Sequence, residues 1–225
     1  PKGVFDFNDE WVKRGVCVFE NNLGRNKFVG CRNHRMVLQM HMLFGDIETN
    51  LDGFALQSQC AQAEGMKFLV EHCRAGKFER KTGMTWWNMR DGWPVISDAV
   101  VDYYGRRKLA YEYIKRAQQD VLVMVDENGD VLAVNDRLRP ASGHATLTDD
   151  ETGRVLFDGD FACGANAVAK IGAVALSGQG VAKIRYTVAG DAEAYASHYL
   201  YGGPTQKYVG EKKIRFADYR RWMGL

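Results

Sequence analysis

Apolar positions recur at helical spacing through residues 52–75. Leu56, Cys60, Ala63, Met66, Val70 and Cys73 follow one another at intervals of four, three, three, four and three, which sets them on one stripe of a helix. Asp52 is expected to cap its start, and Gly76, just after the basic Arg74, to close its end. Upstream, 32–44 carries Met36, Met40 and Leu43 at the same spacing, with Gly45 as the expected C-cap. Residues 1–50 are otherwise the least regular part. Phe5, Phe7, Trp11, Val16, Val18 and Phe19 are too apolar for a solvated linker, Asn8 suits an N-cap before Asp9 and Glu10, and 21–24 reads as a turn. Downstream, Met84, Thr85, Trp86 and Trp87 predict a short apolar strand, which breaks into a polar loop at 88–92 and passes through Trp93 and Pro94 towards a helix over 106–117.

Beyond residue 117 the period changes to two. Val121, Val123 and Val125 alternate with Leu122 and Met124, Glu127-Asn128-Gly129-Asp130 predicts a type I′ hairpin turn, and 131–134 resumes the strand. A second hairpin is expected from 144–148 and 154–157 around a turn at 150–153, and further strands over 181–188 and 192–201. Short strands at this spacing, separated by glycine-rich turns, predict an antiparallel sandwich of immunoglobulin type. The boundary is placed near Gln118, dividing the chain into 1–117 and 118–225.

Composition narrows the functional classes. With 46% hydrophobic and 26% charged residues over 225 positions, the chain is a folded globular protein able to bury a core. Thirty basic against 28 acidic residues leave a net charge of +2 and no basic stripe, so nucleic acid is not an expected partner. The five cysteines, Cys17, Cys31, Cys60, Cys73 and Cys163, are odd in number without a CxxC pair; they read as reduced core thiols, not a disulfide framework or zinc site. His34 and His41 share a helix face but lack a third ligand, so no metal and no cofactor is expected. No apolar run approaches the roughly 18 residues of a membrane span, and no secretory leader pattern is visible. Because the chain opens at Pro1 without Met, its natural start is expected upstream, which leaves localisation unknown.

The end of the 83–87 segment is where chemistry is expected, since ligands of strand-loop-helix units meet side chains at the carboxyl end of the strand. Trp87, Asn88, Arg90, Asp91 and Trp93 gather there, a mixture of flat aromatic faces and bidentate polar groups that suits a sugar better than a phosphate. The run W-N-M-R-D-G-W-P, followed by S-D-A-V-V-D-Y-Y-G-R-R-K-L-A-Y, resembles the eighth barrel strand and final helix of glycoside hydrolase family 2, the group of β-mannosidases, β-galactosidases and exo-glucosaminidases. Ser58 to Glu64 fits that family's S-Q-x-x-Q-A-E helix, and 134–138, 197–204 and 216–222 resemble its later signatures, so the likeness spans most of 50–225.

The resemblance implies the C-terminal end of a (β/α)8 barrel in 1–117, an immunoglobulin-like antiparallel β-sandwich in 118–225, and a retaining mechanism on β-linked glycosides. Retention needs two carboxyl groups about 5 to 5.5 Å apart. In the family these follow N-E and S-E-x-G patterns, neither of which stands at a strand end here. Glu20, after the apolar 16–19, lacks the family's context. Both catalytic carboxylates are therefore expected before Pro1, with the chain inert by itself, contributing one wall of a sugar site and associating with the missing part or with a second copy. The closing tryptophan motif suggests a natural C-terminus. Trp87 matches the family's sugar platform, while alternation points Trp86 the other way. Arg90 stands where mannosidases commonly carry Asn; it either binds substrate or pairs with a loop acid. Asp98 and Asp102 are expected to anchor the loop. The alternative reading is a non-catalytic carbohydrate-binding or structural sandwich module.

Overall fold

The computed structural model of the chain describes residues 32–92, 97–204 and 213–225. The expectations for Glu20, the aromatic-rich 1–31 segment and Trp93 lie outside the described residues. Four helices and seven strands are labelled here: α1 (Arg32–Leu43), α2 (Leu51–Ala75), α3 (Leu109–Ala117), β1 (Val121–Val125), β2 (Asp130–Asn135), β3 (Ala141–Asp149), β4 (Val155–Cys163), β5 (Ala167–Ala173), β6 (Gly180–Val188), β7 (Ala194–Tyr201) and α4 (Phe216–Met223).

The strands form two antiparallel sheets, β1-β2-β5 and β4-β3-β6-β7. Val121, Val123, Ala145, Leu147, Ile184 and Tyr186 meet in the core between them. Along β6 the alternation is clean: Ile184, Tyr186 and Val188 point inward, Lys183, Arg185 and Thr187 outward. β1 is buried at every position because it has apolar neighbours on both faces. Val121, Val123 and Val125 face the other sheet, while Leu122 and Met124 cluster with Val134, Val168 and Ala75 at the end of α2. The continuous V-L-V-M-V run records that double burial.

The first hairpin differs from the expected type I′. Gly129 has φ +83, whereas no positive φ occurs at Asn128, and I′ needs both. The Asp126 carboxylate accepts the Asn128 and Asp130 N–H groups at 2.8 and 2.9 Å, and Gly129 N–H reaches Asp126 O at 3.1 Å. That pattern builds a four-residue loop on an ordinary turn. β5 and α4 are not among the predicted elements, although Phe216, Tyr219 and Trp222 of α4 do stand at helical spacing. β5 reads A-V-A-K-I-G-A, with little β-branched or aromatic content, and forms because β2 supplies a ladder.

In the helical part, Asn50, not Asp52, caps α2, accepting the Gly53 N–H at 2.8 Å. Gly45 does not cap α1: its N–H donates to Ile214 O at 2.9 Å, so the segment before α4 closes that helix end. The buried face of α2 is rotated from the apolar stripe. Leu56, Met66 and Cys73 are half-buried, while Phe54, Gln57, Glu64, Lys67 and Glu71 are buried. Lys67 and Glu71 pair with each other one turn apart at 2.7 Å, while Gln57 has partners that the local sequence does not reveal: it accepts from Glu48 N at 2.9 Å and donates to Asp46 O at 2.7 Å.

The predicted strand at 83–87 is not a strand. Residues 83–86 have no ladder, and nearby pairing is confined to isolated bridges at Arg90–Val101 and Val101–Arg107. An extended segment becomes a strand only when a neighbour takes up its N–H and C=O groups. None of the described residues does so here.

Candidate functional site

The loop after Trp87 is held by a second segment laid beside it. Asn88 O accepts the Val100 N–H at 3.1 Å, Met89 O accepts Val101 N–H at 2.9 Å, and Asp91 N–H returns to Val101 O at 3.1 Å. Buried Val100 also accepts Lys108 N–H at 2.9 Å, so 100–101 is a rail between the loop and the entry to α3. α2 clamps that rail at two points. Gln62 Nε2 donates to Asp98 O at 2.6 Å, and Gln59 Oε1 accepts the Leu109 N–H at 3.1 Å, serving the start of α3 where Lys108 makes no side-chain cap. The two glutamines of the S-Q-x-x-Q-A-E pattern thus fix both ends of the segment.

The adjacent tryptophans separate. Trp86 is half-buried against Ala63, Val100, Ala110 and Tyr113, whereas Trp87 is 75% exposed. The peptide between Trp87 and Asn88 is cis. Trp87, Asp98, Lys108 and Gln62 line an open groove of about 940 Å³, together with Met66, Phe68 and Met42 of the helices. Asn88 Oδ1 is buried and has no hydrogen-bond partner among the described residues. Arg90 does not pair with Asp91; its Nη2 donates to Tyr103 O at 2.9 Å. Asp91 turns inward, accepts from the Ser97 hydroxyl, and lies 3.4 Å from Lys108 Nζ. Its carboxylate braces the loop. Asp102 accepts the Arg106 N–H and Nε–H at 2.8 and 2.7 Å, tying the next turn.

A buried polar cluster lies behind this loop. Glu64 of α2 accepts from His198 Nε2 of β7 at 2.8 Å and from the Tyr219 hydroxyl of α4 at 2.9 Å, and the Tyr113 hydroxyl of α3 sits 3.3 Å from that of Tyr219. Burial pushes the Glu64 carboxyl up, but the charge and hydrogen bond of His198, with Lys67 and Tyr219, outweigh it and hold it below the usual carboxylate range. Burial, reinforced by Glu64, pushes the neighbouring Cys60 thiol up to about 12, so it stays protonated and is no nucleophile. The apolar pattern gave no sign of this cluster; the signal was Glu64 standing among buried positions of a helix. Among the described residues, no three His, Cys, Asp or Glu side chains converge to hold a metal ion, and no helix is long and apolar enough to cross a membrane.

No family model matches the chain. Over 79 residues it is 37% identical to β-mannosidase B of Aspergillus niger, a match covering 34% of this chain and 9% of that protein. Its backbone matches a β-D-mannosidase from Dictyoglomus thermophilum with a TM-score of 0.64 at 25% identity, covering 75% of this chain and 22% of that one. An Amycolatopsis orientalis exo-chitosanase, solved with PNP-β-D-glucosamine, matches at a TM-score of 0.63 and 19% identity over 78% of this chain and 22% of that one, a likeness of fold. The chain therefore spans only a minor share of each protein it matches. Motif, relative and backbone agree: this chain is similar to a C-terminal portion of the β-mannosidases of glycoside hydrolase family 2.

Proposed function

We propose that this chain is part of a retaining glycoside hydrolase acting on β-glycosides, and that it supplies one wall of the sugar site rather than the reacting carboxylates. In this reading, 1–117 completes a (β/α)8 barrel and 118–225 is an immunoglobulin-like sandwich behind it. The observation that carries the proposal is the division of labour at Trp86 and Trp87: one indole packs against α2 and α3, and the next opens its face to the groove. Axial C–H groups of a pyranose pack on such a π-face, whose quadrupole is negative. Of its neighbours, Arg90 is exposed and has guanidinium N–H groups for hydroxyls, Asn88 is half-buried with its Oδ1 enclosed, Asp91 holds the loop in shape, and Trp93 follows in sequence. The names of the relatives suggest a β-mannoside or β-glucosaminide as the substrate.

Acids that line the groove or brace its loop are already engaged, and Asp126, also in the lining, accepts the Asn128 and Asp130 N–H groups. Glu64 serves His198 and Tyr219, Glu71 pairs with Lys67 at 2.7 Å, and Asp91 braces the loop. This supports placing the nucleophile and the acid/base outside the chain. The alternative, a carbohydrate-binding sandwich, has less support: among the described residues, the exposed aromatic rings Phe68, Phe78, Trp87, Tyr103 and Tyr104 all precede the strands.

Two outcomes are expected. The chain alone leaves nitrophenyl β-mannoside and β-glucosaminide uncleaved; turnover that disappears in Glu20→Gln would overturn the proposal. Trp87→Ala should weaken β-glycoside binding in titration calorimetry with little change in stability, whereas Trp86→Ala should lower unfolding free energy by about 2 to 4 kcal/mol through the cavity it leaves. Exchange of those phenotypes would assign the platform to the wrong indole.

A further inference from the structure

Beyond Arg90 the loop meets a second aromatic feature that the Trp87 site does not use. The turn at 102–106 is tightly closed. Asp102 N–H donates to Arg106 O at 2.9 Å, Gly105 N–H to Asp102 O at 3.0 Å, and Gly105 adopts φ +83, a conformation that suits glycine. The Asp102 carboxylate takes both the backbone N–H and the Nε–H of Arg106, which fixes that guanidinium 5.3 Å from the centre of the Tyr104 ring. Tyr103 and Tyr104 cross at 83° with centroids 5.3 Å apart, and they are 41% and 67% exposed.

Two crossed aromatic rings left this open to water are a binding surface, because burial of the area still exposed would be favourable; Arg106 lies over the Tyr104 ring and leaves it 67% exposed. The turn is joined to the sugar loop by Arg90, whose Nη2 reaches Tyr103 O at 2.9 Å. Since Val100 N–H bonds Asn88 O and the two segments run parallel, Tyr103 lies three residues further along than Asn88, at most about 10 Å for an extended chain. The Tyr103 backbone therefore lies within reach of the loop that carries Trp87, with Arg90 bonded to its carbonyl and Arg106 over the neighbouring Tyr104 ring.

We propose that Tyr103 and Tyr104, with Arg106, form an outer subsite for the continuation of a β-linked oligosaccharide whose terminal sugar sits on Trp87. The assignment rests on the carbohydrate reading given above. Tyr104 offers its face and Tyr103 its edge to the next rings, and Arg106, pre-set by Asp102, donates to their hydroxyls. Little side-chain freedom is lost on binding because the turn is already ordered.

The test is an amide and indole NMR titration of the full 225-residue chain with methyl β-mannoside and with β-1,4-linked mannotriose, repeated with the glucosamine counterparts. The trisaccharide should bind about tenfold more tightly than the monosaccharide, the equivalent of one well-made contact, and should shift the signals of 102–106, which the monosaccharide leaves in place. Tyr103→Ala with Tyr104→Ala should erase the advantage of length without changing monosaccharide affinity, and the paired Phe substitutions should restore most of it. An equal affinity for the two lengths, or an advantage that survives the double alanine variant, would overturn the subsite. If Trp87→Ala leaves monosaccharide binding intact while the tyrosine variants still remove the length effect, the Trp87 platform fails and the outer subsite stands.

Discussion

Glu64→Ala is expected to lower the unfolding free energy by about 3 to 5 kcal/mol, the usual cost of removing one partner from a buried ionic pair. His198 and the Tyr219 hydroxyl would be left without their common acceptor, and Tyr113, bonded to Tyr219, would lose the support behind it, in a place where four elements meet: α2, β7, α4 and α3. Glu64→Gln, which keeps an acceptor for Tyr219, should cost less. Urea denaturation at neutral pH measures both. The pH dependence has a definite sign. The folded-state pKa of Glu64 is depressed, so its contribution is complete above the unfolded value of about 4.3 and fades as pH falls through the folded value. Wild type should thus lose stability on acidification more steeply than Glu64→Gln. Parallel curves would show that Glu64 is not ionised in the folded protein.

Gly202→Ala should also be severe, about 2 to 4 kcal/mol. Gly202 has φ +70, and a Cβ there would stand 1.9 Å from Gly178 O, so the substitution combines backbone strain with a collision against main chain that no side-chain movement relieves. Gly153→Ala, at φ +68 with open space around it, is the control: it carries the conformational cost alone, about 1 kcal/mol. Equal melting temperatures for the two variants would remove the steric part of the account.

The strands of 118–225 were legible because most bury one face, and a period of two survives even where ends shift by a few residues. β5 escaped because its alanines and glycine carry little strand signal. In α2 the period was right and the phase right in part: Cys60, Ala63 and Val70 are buried, while Leu56, Met66 and Cys73 are only half-buried. Hydrophobicity alone turned Leu56 and Met66 inward, but Glu64 and Gln57 go in because His198, Tyr219 and the 46–48 backbone receive them. Partners that far away in sequence leave no local trace. The 83–87 segment shows the opposite failure: its composition suits a strand, and the described residues offer no ladder. At the site, aromatic and polar residues at 87–91 were legible as a cluster, while the clamps from Gln59 and Gln62 and the inward turn of Asp91 belong to tertiary structure.

The central claim is that Trp87 is a sugar platform and Trp86 a packing residue. It is tested most directly by following the two indole N–H signals, assigned with Trp→Phe variants, while methyl β-mannoside or methyl β-glucosaminide is added to the chain. The Trp87 signal should move saturably with at least one of the two sugars while that of Trp86 stays in place. Movement of the Trp86 signal alone, or of neither, would contradict the account.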